Sequence, residues 1–181
     1  MAILNPILDK FIKHLSDMGL IHHHFPSGHA NRYGSAISVI VLTCLFAGML
    51  HAAALVLVYD VRPSRLFQFI ASGLFGKEAL MGGLFMALSG LMLHFIISFA
   101  WTAFYFIAYP TFKMFAGHKI FAGSIYGVIV WTIMNTVVIP FSSIAEGPLT
   151  ITQDVIGILI TIVSIGLPVA TLARRYYTAE S

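Results

Sequence analysis

Two histidines, His51 and His94, lie inside long uncharged stretches of this 181-residue chain. A polar or ionisable group within an apolar segment is costly, and it usually has a specific role. If these stretches are membrane helices, His51 lies about 12 Å beneath one membrane surface and His94 lies near the midplane. Asn135 lies about 8 Å beneath the same surface, and Asp154 lies at it. These four residues predict a shallow polar pocket that opens to the outer face.

The same histidines allow two other interpretations. Neutral imidazoles can form hydrogen bonds between helices, and such bonds commonly stabilise the packing of membrane helices. Two histidines on neighbouring helices are also what a b-type haem with two axial imidazoles requires. The rings of His51 and His94 are expected to differ by about 8 Å in depth, whereas axial ligands of one iron stand only about 4 Å apart. Depth therefore argues against haem, and we expect no cofactor.

A second group of histidines lies near the N terminus, where the sequence is irregular. Imidazole is a common ligand of zinc, copper and nickel, so His22, His24 and His29 are candidate metal ligands. No cysteine or spaced carboxylate accompanies them, and we favour a linker whose imidazoles face headgroups and water. Catalytic motifs are missing as well, since the sequence has no glycine-rich phosphate loop, no H-E-x-x-H and no G-x-S-x-G. We expect that the protein is not an enzyme.

The elements that position these residues follow from the charge distribution. Only 9% of the residues are charged and the mean hydropathy is +0.91, while soluble domains carry roughly 25% charged residues. A helix needs about 20 apolar residues to cross a bilayer. Four uncharged stretches satisfy this length and predict spans at residues 37–59, 80–108, 120–140 and 155–173. The predicted fold is all-α, an integral membrane four-helix bundle with an N-terminal amphipathic interfacial helix.

Small residues recur on one face of each predicted span. Lipid gives apolar helices no hydrophobic reason to associate, so close packing at small residues must hold them together. The pattern predicts packing at five glycines, namely Gly83, Gly90, Gly123, Gly127 and Gly157.

The chain is expected to divide into three parts. Residues 1–34 form an amphipathic helix on the membrane surface and a His-rich linker, residues 35–176 form the four-helix domain, and residues 177–181 form a cytoplasmic tail. All Lys and Arg residues except Arg62, Arg65 and Lys77 fall on one side, which predicts that both termini are cytoplasmic. The apolar segment 65–76 between the first two spans either lies along the outer surface or is re-entrant.

Several runs carry a resemblance to a known family. FIASGLFG at 69–76, His94-Phe95, YGV at 126–128, Met134-Asn135 and GLP at 166–168 are among them. Over about residues 45–176 the chain resembles small four-span bacterial membrane proteins, the YagU-like inner-membrane proteins. The resemblance implies a location in the bacterial cytoplasmic (inner) membrane and implies no activity. That family often has an acidic residue near the position of His51, so this chain departs from the pattern there.

Two classes of function agree with these features. The first, which we favour because no charge lies deep inside any span, is a non-catalytic structural or accessory subunit of a membrane complex. The second is a small-molecule or ion carrier or channel that uses the His and Asn pocket. The net charge of +3 reflects basic residues next to the membrane, which are suited to lipid headgroups. We therefore expect the lipid bilayer and either other membrane subunits or further copies of the chain as partners, and no nucleic acid.

Overall fold

The computed structural model describes residues 29–111, 118–144 and 150–179. The chain divides into two compact units, residues 1–42 and 43–181. In the first unit, only the N-terminal part of one helix is described. The expected surface helix, His22, His24 and the side chain of His29 lie outside the described residues. All contacts given below are within the second unit.

The described residues form helices and contain no strand. The order along the chain is α1 (His29–Tyr59), α2 (Pro63–Phe75), a 3₁₀ turn (Lys77–Met81), α3 (Gly83–Ala108), α4 (Lys119–Ile133) with a π-helical turn (Met134–Val138), α5 (Ile151–Thr161), a second π-helical turn (Ile162–Gly166) and α6 (Leu167–Ala179). Four helices are long and apolar enough to cross a membrane, over Ala36–Tyr59, Gly83–Ala108, Lys119–Val138 and Ile151–Thr178. The predicted all-α, four-span architecture is confirmed, and the chain is a multi-pass membrane protein.

Some helices begin or end at residues other than those expected, because local turns and caps determine their boundaries. The second span begins at Gly83 instead of residue 80, because Lys77–Met81 forms a separate 3₁₀ turn. The fourth begins at Ile151, where Thr150 and Gln153 form a reciprocal capping box. It also runs past the expected tail boundary at residue 177, where the Tyr177 hydroxyl donates a hydrogen bond to the Phe106 carbonyl oxygen at 2.8 Å.

Glycines bring helix backbones together at three places. An added Cβ on Gly123 would lie 3.0 Å from the Cα of Leu167, and one on Gly127 would lie 2.6 Å from the Cα of Ile162. On Gly90 it would lie 2.6 Å from the carbonyl carbon of Phe67. Such distances are well inside ordinary carbon contacts of about 3.5–4.0 Å, so these glycines let two backbones approach closely.

The other two glycines expected to pack have different surroundings. Gly157 lies against the indole of Trp131, whose Cδ1 would be 3.2 Å from an added Cβ. Gly83 is not a packing residue, because no described atom lies within 4 Å of its Cβ position. Its φ of 64° identifies it as a turn glycine that allows the chain to enter α3.

Buried residues on α3 follow a single stripe. Ala87, Gly90, His94 and Ser98 belong to it, and Thr102 and Phe106 continue it. Trp101 and Tyr105 are only half-buried. After Ser98 the buried positions are four residues apart, at Thr102 and Phe106. Trp101 and Tyr105 therefore lie at the side of the buried face of α3.

Helix α2 packs against α3 through Ala71 and Gly90. The side chain of Gln68 donates to the carbonyl oxygen of Gly83 at 2.9 Å, and Arg65 donates to that of Leu80 at 2.9 Å. Helix α2 therefore packs along the first two turns of α3, from Gly83 to Gly90.

Candidate functional site

A cavity of about 400 Å³ lies among the spanning helices at this end of the bundle. Three of the four residues predicted for a pocket, His51, His94 and Asn135, line it. Asp154 does not line it, and the preceding residue, Gln153, does. Successive residues of a helix point about 100° apart. The sequence therefore predicted the correct helical turn of α5 at the cavity, but it predicted Asp154 where Gln153 faces the cavity.

His94 is held by the backbone of α1. Its Nε2 atom lies 2.9 Å from the carbonyl oxygen of Gly48, and the residue is only 7% exposed. Gly48 makes this approach feasible, because an added Cβ would lie 3.0 Å from the ring of Phe95 and 3.3 Å from Ser98 Oγ. A carbonyl oxygen can only accept, so His94 Nε2 carries the hydrogen and donates it.

His51 is held by the fourth span. Its Nδ1 atom lies 2.8 Å from the hydroxyl of Ser164. Ser164 donates its only hydroxyl hydrogen to the carbonyl oxygen of Ile160 at 2.6 Å. The hydroxyl must therefore accept from the imidazole, and His51 Nδ1 carries the hydrogen.

These two assignments leave one acceptor nitrogen on each ring. A neutral imidazole has one N–H donor and one acceptor nitrogen, so the acceptors are His51 Nε2 and His94 Nδ1. Neither has a hydrogen-bond partner among the described residues. The rings are parallel within 3°, with centroids 6.0 Å apart. Two imidazolium charges this close would repel each other in a low-dielectric interior, which favours the neutral pair.

The expected difference in depth between the histidines is too large. Side chains lean toward the N terminus of their own helix. His51 pairs with His94, and Gly48, earlier on α1, packs on Ser98, later on α3. Helices α1 and α3 therefore run antiparallel. The two imidazoles therefore lean toward each other, and their rings stack. The rings are thus not separated by the depth of about 8 Å that was expected to exclude a shared haem iron.

Two amides add further polar groups to the cavity. Asn135 Nδ2 donates to the carbonyl oxygen of Trp131 at 2.9 Å, which leaves the Asn135 carbonyl oxygen as a third acceptor without a described partner. Gln153 Oε1 accepts hydrogen bonds from both the backbone nitrogen and the hydroxyl of Thr150, each at 2.9 Å. The Gln153 amide nitrogen is thus left as a donor. These three acceptors and the Gln153 amide nitrogen are among the polar groups that line a mainly apolar cavity.

Both π-helical turns border this site, a feature that sequence patterns did not reveal. Asn135 belongs to the turn Met134–Val138, and Ser164 belongs to the turn Ile162–Gly166. A π turn shifts the register of the helix that follows it, and such turns occur frequently at functional sites. The contribution of α2, whose Leu66, Phe69 and Ile70 line the cavity, was also missed. A short amphipathic helix between two spans was the available indication.

No group of three or more His, Cys, Asp or Glu side chains within residues 29–111, 118–144 and 150–179 is placed to hold a metal ion. Comparison of the chain with protein-family models, curated proteins and solved structures gives no match. The YagU-like resemblance therefore stays a prediction. Fold and site together define a multi-pass four-helix membrane protein with a cavity among its spanning helices.

Proposed function

We propose that this protein binds a small, uncharged and largely apolar molecule in the His51 and His94 cavity, in the manner of a carrier for such molecules. The observation that carries the proposal is the pair of neighbouring imidazole acceptors inside a membrane domain. A ligand that donates a hydrogen bond satisfies an acceptor that the described protein leaves without a partner. The volume of about 400 Å³ lies in the range of small-molecule sites, which are mostly apolar with a few polar groups.

The charge of the cavity favours a neutral ligand over an ion. No Asp, Glu, Lys or Arg is among the described residues that line it. An ion that leaves water for a low-dielectric site needs a compensating charge or several dipoles, and its transfer is otherwise prohibitively costly. A neutral ring or chain with one hydroxyl or N–H group needs only an acceptor.

A matched pair of probes tests this proposal. 1-Naphthol and 1-methoxynaphthalene share an apolar body, and only the first carries a hydrogen-bond donor. Binding to the intact protein in nanodiscs is measured by the fluorescence of Trp101 and Trp131, which both line the cavity. Loss of one hydrogen bond to a buried acceptor costs about 1–1.5 kcal/mol. We therefore expect 1-naphthol to bind roughly tenfold more tightly.

The variant His51→Phe removes one acceptor and keeps a ring of similar size. Ser164 still donates to Ile160 in this variant, so no new unpaired hydrogen is created. The preference for 1-naphthol is expected to shrink in His51→Phe and to persist in Ser89→Ala, whose hydroxyl bonds its own helix at Phe85. Equal affinity of the unsubstituted protein for both probes would refute the proposal.

The accessory-subunit hypothesis ranks second. It is supported by the wide apolar faces of the spanning helices, which are equally suited to lipid. Mild extraction followed by a native gel distinguishes the two functions, because an obligate subunit co-migrates with a partner. The positive-inside count further predicts that the cavity lies toward the outer face of a bacterial inner membrane.

A further inference from the structure

A second, apolar groove lies between α3 and α4 and is independent of the proposed cavity function. It encloses about 610 Å³, and its lining includes Trp101, Tyr105, Tyr109, Ala122, Tyr126 and Ile133. The Tyr126 hydroxyl donates to the carbonyl oxygen of Trp101 at 2.5 Å, and the rings of Tyr105 and Tyr126 contact edge to face with centroids 4.6 Å apart. These contacts fix an aromatic floor that is open to the lipid side.

The dimensions of the groove match one leaflet. From Ala122 to Ile133 the helix rises by about 16 Å. Half of a hydrocarbon core of about 30 Å is about 15 Å. A single acyl chain in the leaflet nearest the C terminus therefore spans the groove from end to end.

The end of the groove nearest the C terminus is positively charged. Lys119 lies three residues before Ala122 and so on the same face of α4. The ring of Tyr109 stacks on that of Tyr177 with centroids 4.8 Å apart, and Arg174 lies three residues before Tyr177, on the same face of α6. The described residues around this end, 108–111, 118–122 and 167–179, contain no Asp or Glu. Tyrosine hydroxyls together with basic side chains are typical of the headgroup level of a membrane protein.

We propose that the groove is a binding site for one anionic phospholipid, whose acyl chain lies along the aromatic floor and whose phosphate faces Lys119 and Arg174. Charge complementarity selects an anionic over a zwitterionic headgroup, and each basic residue near the surface contributes about a fivefold preference. The groove shares only Trp101 with the described lining of the His51 and His94 cavity, and lipid quenching is measured without naphthol, so the two proposals can fail independently.

Fluorescence quenching tests the site, because Trp101 lies in the groove and the chain has only one other tryptophan. Trp131→Phe protein is reconstituted in phosphatidylcholine vesicles that contain an equal small fraction of dibrominated phosphatidylglycerol or dibrominated phosphatidylcholine. We expect the brominated anionic lipid to quench Trp101 at least fivefold more effectively. Lys119→Gln should reduce this preference about fivefold, and Lys77→Gln, at the opposite end of the bundle, should leave it unchanged.

Native mass spectrometry of the unsubstituted protein provides a second measurement that needs no tryptophan variant. Retention of phosphatidylglycerol over phosphatidylcholine supports the site. Equal quenching by both brominated lipids, with equal retention, would overturn it. Shielding of Trp101 from both lipids, together with a dimer cross-linked through Ile125→Cys, would also overturn it and assign the groove to a second copy of the chain.

Discussion

The variant Gly90→Ala tests whether α2 is packed as closely on α3 as the structure shows. An added methyl group would overlap the carbonyl oxygen of Phe67, and it would lie 2.6 Å from the carbonyl carbon of Phe67 and 3.1 Å from the backbone nitrogen of Ala71. An ordinary carbon contact is about 3.5–4.0 Å, so the two helices must separate by more than about 1 Å. Neither neighbour is the end of a flexible side chain, and the strain cannot be relieved by a rotamer change.

Overpacking lowers the free energy of unfolding and higher helix propensity raises it, so the sign of the measured change shows which contribution is larger. Overpacking costs about 1–3 kcal/mol, while replacing a helical glycine with alanine gains up to about 1 kcal/mol. The expected net loss for Gly90→Ala is about 1–2 kcal/mol. Because α2 contributes residues to the cavity wall, the affinity for 1-naphthol is expected to fall too.

Reversible unfolding in mixed micelles provides the assay, with Gly73→Ala as the matched control. Gly73 is also on α2, but its nearest neighbour is a flexible side-chain atom, Ile144 Cδ1, at 3.4 Å from the Cβ position. This substitution should change stability by less than about 0.5 kcal/mol. If Gly90→Ala proves as stable as the unsubstituted protein, α2 does not pack on α3 in this way.

Three further predictions concern single positions. Ser164→Ala removes the acceptor of His51 Nδ1 and should cost about 1–2 kcal/mol in the same unfolding assay, whereas unchanged stability would contradict the assigned hydrogen bond. Gly83→Ala has free space but a φ of 64°, so backbone strain should cost about 1 kcal/mol; a stabilised variant would contradict that conformation. The visible spectrum of the purified protein should show no Soret band, because His51, Phe67 and Phe95 crowd the ring of His94 with centroids 5.5–6.1 Å away; a Soret band would contradict this packing.

The four spans were predictable because their cause is local. Charged residues are excluded from hydrocarbon, so the positions of the charges delimit each span, and the ends differ by only a few residues. Close approaches at Gly90, Gly123 and Gly127 were predictable for a related reason, since only the smallest residue lets two backbones meet in lipid.

The composition of the cavity was predictable only in part. His51 and His94 stand out because polar groups are rare in apolar segments. Their stacking was not foreseen, because it depends on how side chains lean in antiparallel helices. Gln153, which forms the capping box with Thr150, lines the cavity where Asp154 was expected. The π turns depend on backbone hydrogen bonds that no residue pattern specifies.

The central claim is that His51 and His94 each present one unprotonated nitrogen within the cavity. Nitrogen-15 chemical shifts in bilayers report directly which imidazole nitrogen carries hydrogen, and the spectra of His51→Phe and His94→Phe proteins assign the two signals. At neutral pH we expect His94 to carry its hydrogen on Nε2 and His51 on Nδ1. The other ring nitrogens, His94 Nδ1 and His51 Nε2, should carry no hydrogen. Two doubly protonated rings, or the opposite tautomer on either one, would contradict the account.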